Sequence, residues 1–132
     1  GVDMPTHRVL VVDDDPDILD YFTSFLEDHG YDVRTAANAN AALASLEESR
    51  PDVVLIDVLM PGKSGLDLLV RVRRDQRWGD IPLVVVTGND QILQDDCHSY
   101  VGSHENVLGP DGVLSKPIDR NALLAVLRNL CN

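Results

Sequence analysis

The segment 53–57 reads Val-Val-Leu-Ile-Asp and decides the fold. Its first four residues are apolar, most of them are β-branched, and no polar residue interrupts them. Such a run is typical of a parallel strand buried on both faces. Similar runs occur at Val9–Val12 and Leu83–Val86. A fourth run, Val33–Ala36, contains an arginine and a threonine and is predicted to be an edge strand, and a weaker fifth strand is predicted at Val113–Leu114.

Stretches with the apolar spacing of helices separate these runs. The first is predicted to begin with Asp15 as N-cap and Pro16 at the first helical position, and the last is predicted to start at Asp119. A short helix is expected within 90–101, followed by a long loop through 102–112. The alternation predicts an α/β domain with a single doubly wound parallel sheet of five strands and five helices. Apolar positions of the other helices are Ala39, Leu43 and Leu46, then Leu66, Leu69 and Val70, and finally Leu123, Leu127 and Leu130.

Composition narrows the class of protein. The 132 residues make one domain, and 22 acidic against 11 basic residues give a net charge of −11. This charge disfavours a nucleic-acid or anionic-membrane surface, and the longest apolar run, residues 122–127, is far below the ~20 residues of a membrane span. Two cysteines without metal spacing favour a reduced, cytosolic protein. We interpret residues 1–5 as a tag remnant and disordered start.

Side chains of chemical interest follow four of the predicted strands. Ligands of doubly wound sheets bind outside the carboxyl ends of the strands, so these side chains are expected at one edge. Carboxylates gathered there repel each other by about 4 kcal/mol per pair at ~4 Å and an effective dielectric of ~20. Because all candidate ligands are oxygens, a hard divalent ion such as Mg²⁺ is predicted among them. The side chains are Asp13, Asp14 and Asp15 after the first strand, Asp57 after the third, Thr87 after the fourth and Lys116 after the fifth.

Asp57 is the predicted nucleophile of this group. It ends a central strand, and a carboxylate can attack phosphorus to form an aspartyl-phosphate. Phosphoryl transfer needs positioning and charge neutralisation more than a base, which Mg²⁺, Lys116 and Thr87 would supply. Each residue alone is also compatible with a structural role, and Asp15 before Pro16 is interpreted as a helix cap. The joint arrangement favours a phosphate site.

Four sequence blocks resemble those of a bacterial response-regulator receiver domain, the phosphoacceptor module of two-component signalling. They are Val11-Val12-Asp13-Asp14-Asp15-Pro16, residues 51–62 (PDVVLIDVLMPG) with Gly65, Val86-Thr87-Gly88 and Ser115-Lys116-Pro117. The resemblance extends from about His7 to Leu130. It implies a flavodoxin-like sheet with strand order 2-1-3-4-5, and a receiver domain over residues 6–132.

The resemblance also implies a set of roles at the metal site. Asp57 would accept a phosphoryl group from a phosphohistidine on a sensor histidine kinase or a histidine phosphotransfer protein. Asp14 and Asp57 would ligate Mg²⁺ directly, the backbone carbonyl of Leu59 would add a third protein ligand, and Asp13 would act through bound water.

Further implications concern Lys116, Thr87 and the partners. Lys116 would pair with the acylphosphate oxygens, Thr87 would hydrogen-bond one of them, and the Lys116–Pro117 bond is expected to be cis. The chain would be a cytoplasmic signalling domain, not an enzyme beyond its own phosphotransfer and dephosphorylation, and would switch its surface for an unidentified downstream effector. No direct nucleic-acid or membrane contact is implied, and a phosphorylation-dependent homodimer is compatible with the family.

Two departures from the family pattern affect the expected switch. The family often has an aromatic residue three positions before the lysine, where this chain has Val113. The interval from Thr87 to Lys116 is also about two helical turns longer than usual. We hypothesise that Tyr100 or the 102–112 loop replaces the aromatic residue. Since the apolar side chain of Leu59 cannot position a water molecule, loss of the phosphoryl group is predicted to be slow to moderate.

Three other classes of protein share part of this pattern. A phosphatase of the haloacid-dehalogenase kind would need a second aspartate where Leu59 stands. A flavodoxin would need Gly, Ser or Thr in the acidic loop of residues 13–16 to cradle a phosphate. A receiver-like interaction module that is never phosphorylated stays open because of the missing aromatic residue at Val113.

Overall fold

The computed structural model describes residues 7–57, 64–87, 111–115 and 118–131. Strands and helices alternate as predicted, and the expected helix within 90–101 lies outside the described residues. The elements in chain order are β1 (Arg8–Val12), α1 (Pro16–Asp28), β2 (Asp32–Ala36), α2 (Ala39–Glu48), β3 (Val53–Asp57), α3 (Ser64–Arg74), β4 (Leu83–Thr87), β5 (Gly112–Ser115) and α4 (Arg120–Cys131).

The five strands form one parallel sheet in the order β2-β1-β3-β4-β5, which confirms the order implied by the resemblance. Val12 pairs with Ala36 on one side and Ile56 on the other, so β1 and β3 end side by side. Strand β2 lies at the edge, and only Ala36 of it is fully buried. Because the strands are parallel, their carboxyl ends meet at one edge, which we call the carboxyl edge.

The core fills both faces of the sheet. Along β1, Val9 and Val11 pack against the face covered by α1 and α4, whereas Leu10 and Val12 pack against the face covered by α2 and α3. All five residues of β3 are buried. This double-sided burial explains the unbroken apolar run of residues 53–56. None of the four described helices has the length and apolar composition needed to cross a bilayer.

The helix caps follow the sequence signals. Asp15 has an extended backbone, and its carboxylate accepts a 2.9 Å hydrogen bond from the amide of Asp17, with Pro16 at the first helical position. The last helix begins at Arg120, one residue later than predicted, because Asp119 caps it instead of joining it. The Asp119 carboxylate accepts from two amides of the first turn, at 2.8 and 3.2 Å.

Gly112 corrects a prediction. It was expected in the loop of residues 102–112, but it is the first residue of β5 and pairs with Val84. A side chain at this glycine would lie 3.4 Å from Val126 and 3.6 Å from Val84. The glycine therefore permits close packing of β5 between α4 and β4. Its neighbours in the sequence are equally typical of a turn, so this role could not be predicted from them.

Candidate functional site

The predicted site residues lie where four strands end. Asp57 is the last residue of β3, Asp13 directly follows β1, and Thr87 ends β4 in register with Ser115 of β5. Lys116 is one peptide bond beyond Ser115, but it lies outside the described residues, as does Leu59. The described backbone thus confirms that these strand ends share the carboxyl edge.

Asp13 is fixed by backbone hydrogen bonds on two sides. Its amide donates to the carbonyl of Ala36 at 3.1 Å, which continues the pairing of β1 with β2 by one residue. One of its carboxylate oxygens accepts from the amide of Asp15 at 3.0 Å. With only 2% of its surface exposed, the Asp13 carboxylate is therefore held rigidly at the carboxyl edge.

Three carboxylates converge at this edge. Oxygens of Asp13, Asp14 and Asp57 all lie within 4.8 Å of one another. Asp57 is 4% exposed, whereas Asp14 faces solvent. Asp15 serves instead as the cap of α1, as predicted. We call the three residues Asp13, Asp14 and Asp57 the acidic cluster.

The acidic cluster has the properties of a divalent-cation site. At 4.8 Å or less and an effective dielectric of ~20, each pair of negative charges repels by at least about 3.5 kcal/mol. A divalent cation bound among them would replace this repulsion with attraction. Carboxylate oxygens are the ligands that Mg²⁺ and Ca²⁺ prefer, and the cluster contains neither the imidazole nor the thiolate of a typical zinc site. The residues therefore fit the predicted magnesium ion.

A groove lined by α1 and by Arg120 of α4 was not predicted. It has a volume of about 460 Å³, and acidic side chains of α1 line it together with Tyr21, Phe25 and Arg120. Arg120 donates to the Tyr21 hydroxyl at 3.2 Å, and its guanidinium carbon lies 5.8 Å from the centre of the Phe25 ring. The i, i+4 spacing of Tyr21 and Phe25 on α1 could have indicated an aromatic pair with Tyr21 exposed and Phe25 partly buried, but no sequence signal links them to the distant Arg120.

Comparison with known proteins identifies the family of the chain. The sequence profile described as "Response regulator receiver domain" matches residues 9–128. The protein PilH of Pseudomonas aeruginosa is 33% identical over 120 residues, which cover 91% of this chain and 93% of PilH. The DNA-binding dual master transcriptional regulator RpaA of Synechocystis sp. is 36% identical over 123 residues, but the chain spans only 48% of its length.

Solved structures agree with this relationship. The chemotaxis protein CheY4 of Vibrio cholerae superimposes with a TM-score of 0.80 at 30% identity, covering 95% of this chain and 98% of CheY4. A response regulator described as putative from Chloroflexus aurantiacus gives a TM-score of 0.82 at 28% identity, with 96% and 98% of the two chains covered. Fold, strand order and sequence therefore all lead to the same family.

Proposed function

Because the chain belongs to the response regulator receiver domain family, we propose that Asp57 accepts a phosphoryl group and that the phosphorylated domain signals to a downstream partner. Asp13 and Asp14, which share the acidic cluster with Asp57, carry this proposal. Their proximity allows a divalent cation to bind beside Asp57. A phosphoryl-accepting aspartate requires such a positive charge, because the incoming group is itself an anion. Without charge compensation the carboxylate and the phosphoryl group would repel each other.

The proposed reaction is a direct displacement at phosphorus. One carboxylate oxygen of Asp57 forms the new O–P bond as the P–N bond of the donor phosphohistidine breaks, and the imidazole keeps the electron pair of that bond. No proton has to leave Asp57, because the attacking group is already a carboxylate. Burial of Asp57 at the end of β3 holds the nucleophile on a rigid element, which favours in-line attack.

We propose that Asp14 and Asp57 ligate Mg²⁺ directly, that the backbone carbonyl of Leu59 adds a third protein ligand, and that Asp13 acts through bound water. When bound, the metal supplies positive charge that neutralises the carboxylates and the transferring phosphoryl oxygens. The hydrogen bond from the amide of Asp15 keeps Asp13 oriented toward the cluster. The protein would thus hold the carboxylates in place before the donor arrives.

Thr87 and Lys116 are proposed to bind the phosphoryl oxygens of phosphorylated Asp57. Thr87 ends β4, the strand next to β3, and Lys116 follows β5, the strand beyond it. A hydroxyl and an ammonium group approaching from this side would stabilise negative charge that the metal does not reach. The cis Lys116–Pro117 bond expected from the resemblance stays a prediction.

The proposed donor is a sensor histidine kinase or a histidine phosphotransfer protein in the cytoplasm. The downstream partner would bind the surface that changes after phosphorylation, and binding to a second copy of the chain is compatible with this scheme. Val113 of β5 stands where the family often has an aromatic residue, so we propose that Tyr100 or the segment of residues 102–111 before β5 responds to phosphorylation instead. Unchanged amide exchange across 100–111 upon phosphorylation would contradict that proposal.

The test is incubation with Mg²⁺ and acetyl phosphate, followed by intact-mass spectrometry. We expect one phosphoryl group per chain in the wild type and none in Asp57→Asn. Asp52→Asn is the matched control, because Asp52 precedes the same strand at its opposite end, and it should be labelled like the wild type. Turnover of the donor without accumulation of phosphorylated chain would indicate a phosphatase, and absence of both turnover and labelling in the wild type would indicate a receiver-like module that is not phosphorylated; either result refutes the proposal.

A further inference from the structure

A buried arginine joins three segments at the opposite, amino edge of the sheet. The side chain of Arg73, near the end of α3, is only 5% exposed. Its guanidinium donates to the carbonyls of Gly79 and Ile81, at 3.1 and 2.7 Å, in the connection that leads to β4. It also donates to the carboxylate of Asp111 at 2.5 Å, directly before β5 begins. Arg73 therefore ties α3 and the start of β4 to the start of β5.

Asp111 completes this connection by bonding to β4. Its amide donates to the carbonyl of Leu83 at 2.7 Å, and its carboxylate accepts from the amide of Leu83 at 2.8 Å. Leu83 is the first residue of β4, so both of its backbone polar groups are bonded to one residue of the neighbouring chain segment. Since the carboxylate also binds the buried Arg73 guanidinium, displacing Asp111 would leave a buried charge without this partner.

Among the described residues, few contacts besides the backbone ladder with β4 and the packing of Gly112 and Leu114 fix the position of β5 along β4. Strand β5 is four residues long and lies at the edge of the sheet, next to β4 alone. Leu114 is 7% exposed, and its burial disfavours a slip by one residue, because such a slip would turn this side chain to the other face. A shift along the strand axis that keeps the same face is opposed most directly by the paired hydrogen bonds of Asp111.

The carboxyl end of β5 leads to the proposed phosphate-binding lysine. Ser115 pairs with Thr87, and Lys116 is the next residue. We call the bonds of Asp111 to Arg73 and Leu83 the Asp111 clamp. Asp111 and Lys116 are five residues apart, so this clamp acts over ~16 Å of extended chain. We propose that the Arg73–Asp111 ion pair positions Lys116 relative to Asp57, by fixing where β5 lies along β4. This inference rests on the proposed function of Lys116 and adds two positioning residues at the far edge of the sheet.

The proposal predicts different effects on two properties of the site, its affinity for Mg²⁺ and its rate of phosphoryl transfer. The acidic cluster is carried by residues at the ends of β1 and β3, which make no ladder with β5. Loss of the Asp111 clamp should therefore leave the Mg²⁺ affinity nearly unchanged. Phosphoryl transfer should slow, because a misplacement of about 1 Å in a group that contacts the reacting centre can reduce a rate by up to ~100-fold. A merely destabilising change would affect both properties through the unfolded fraction.

The experiment compares Asp111→Ala with Asp80→Ala, in the presence and absence of Lys116→Ala. Asp80 is the control, since it forms a 2.6 Å ion pair with Arg50 in the same connection before β4, but its side chain is 81% exposed. Mg²⁺ affinity is measured by calorimetry, and the rate of labelling by acetyl phosphate by intact-mass spectrometry at saturating Mg²⁺. We expect Asp111→Ala to slow labelling by ~10- to 100-fold and to change the Mg²⁺ dissociation constant by less than about twofold. Asp80→Ala should do neither.

The Lys116→Ala background shows whether the effect passes through the lysine. There, Asp111→Ala should add less than about a twofold loss, because residues that act through one another are not additive. An unchanged rate in the single variant, a parallel loss of Mg²⁺ affinity, or the same loss with Lys116 absent would each overturn the proposal. If Asp111→Ala does not fold, the same criteria apply to Asp111→Asn, which keeps an oxygen for the Leu83 amide, with a slowing of at least ~3-fold. Absence of wild-type labelling would refute the proposed function together with this inference.

Discussion

Replacing Asp57 by asparagine should stabilise the metal-free protein although it removes the proposed nucleophile. Asp57 is 4% exposed, and its carboxylate shares the acidic cluster with Asp13 and Asp14. Asparagine has nearly the same shape and keeps one carbonyl oxygen as a hydrogen-bond acceptor, so packing changes little. What the substitution removes is one of three negative charges whose oxygens lie within 4.8 Å of each other.

The expected size of the effect follows from these distances. Two of the three repulsive pairs disappear, each worth at least about 3.5 kcal/mol at an effective dielectric of ~20. Solvent around the exposed Asp14, salt in the buffer and attraction to the proposed Lys116 ammonium offset much of this repulsion. We therefore expect a net gain of about 1–3 kcal/mol in the free energy of unfolding. For a domain of this size, that gain raises Tm by at least ~3 °C.

Thermal or urea unfolding with and without Mg²⁺ measures this gain. Without the metal, Asp57→Asn should be more stable than the wild type, and the difference should shrink as ionic strength rises from ~0.02 to ~0.5 M. With Mg²⁺ at 100 times its dissociation constant, the wild type gains about 2.7 kcal/mol by mass action. The variant should gain less than half as much, since it lacks a proposed direct ligand, so the order of stability should approach equality or reverse.

The matched control is Asp20→Asn on the exposed side of α1, which changes the net charge by the same amount. If this control stabilises the metal-free chain as much as Asp57→Asn does, the gain reflects net charge alone and the reasoning about the cluster is refuted. The reasoning also fails if Asp57→Asn is no more stable than the wild type without metal. It fails as well if the salt dependence of the difference has the opposite sign.

Three further predictions concern dephosphorylation, capping and pH. Leu59→Asn should accelerate loss of the phosphoryl group several-fold, because an amide can orient the attacking water; decay of the labelled mass measures this, and an unchanged rate contradicts it. Asp15→Ala should reduce the free energy of unfolding by about 1 kcal/mol and Asp15→Asn by less than half of that, as measured by urea denaturation, since asparagine also caps helices. Hydrogen bonds from Arg77 lower the pKa of Asp75, so the contact should stabilise the fold above the ordinary pKa of a carboxyl group and weaken as pH falls through the lowered pKa. Arg77→Gln should return the Asp75 pKa toward its ordinary value in an NMR titration, and an unchanged pKa would contradict that assignment.

Patterns confined to a few neighbouring residues predicted the strands, the helices and the acidic cluster, whereas the strand order was implied by the resemblance to the family. The apolar run of residues 53–56 indicated a buried parallel strand, and the rule that parallel strands end at one edge placed Asp13 and Asp57 together. Asp15 and Pro16 fixed the start of α1, because capping depends only on nearby backbone amides. Such features are encoded locally and can be interpreted from one sequence.

Other features depended on contacts that no local pattern contains. Arg73 is one of the basic residues in the last turn of α3. From the sequence alone, favourable interaction with the helix dipole is enough to explain its charge. Its buried pairing with Asp111 joins residues 38 positions apart and requires the register of β5 against β4. Gly112 was expected in a loop for the same reason, since its close packing against Val126 becomes visible only when α4 lies on the sheet.

The two edges of the sheet differ in their electrostatic interactions, which are attractive at the amino edge and repulsive at the carboxyl edge. At the amino edge, arginines close ion pairs between segments, among them Arg8–Asp32, Arg50–Asp80 and Arg73–Asp111. At the carboxyl edge, the described residues bring three carboxylates within 4.8 Å, a repulsive arrangement that costs stability. Functional sites commonly retain such unfavourable interactions, and the rest of the fold compensates for them. If the Arg73–Asp111 pair also positions Lys116, the amino edge does more than offset the cost of the acidic cluster, because it also determines where the proposed compensating cation lies.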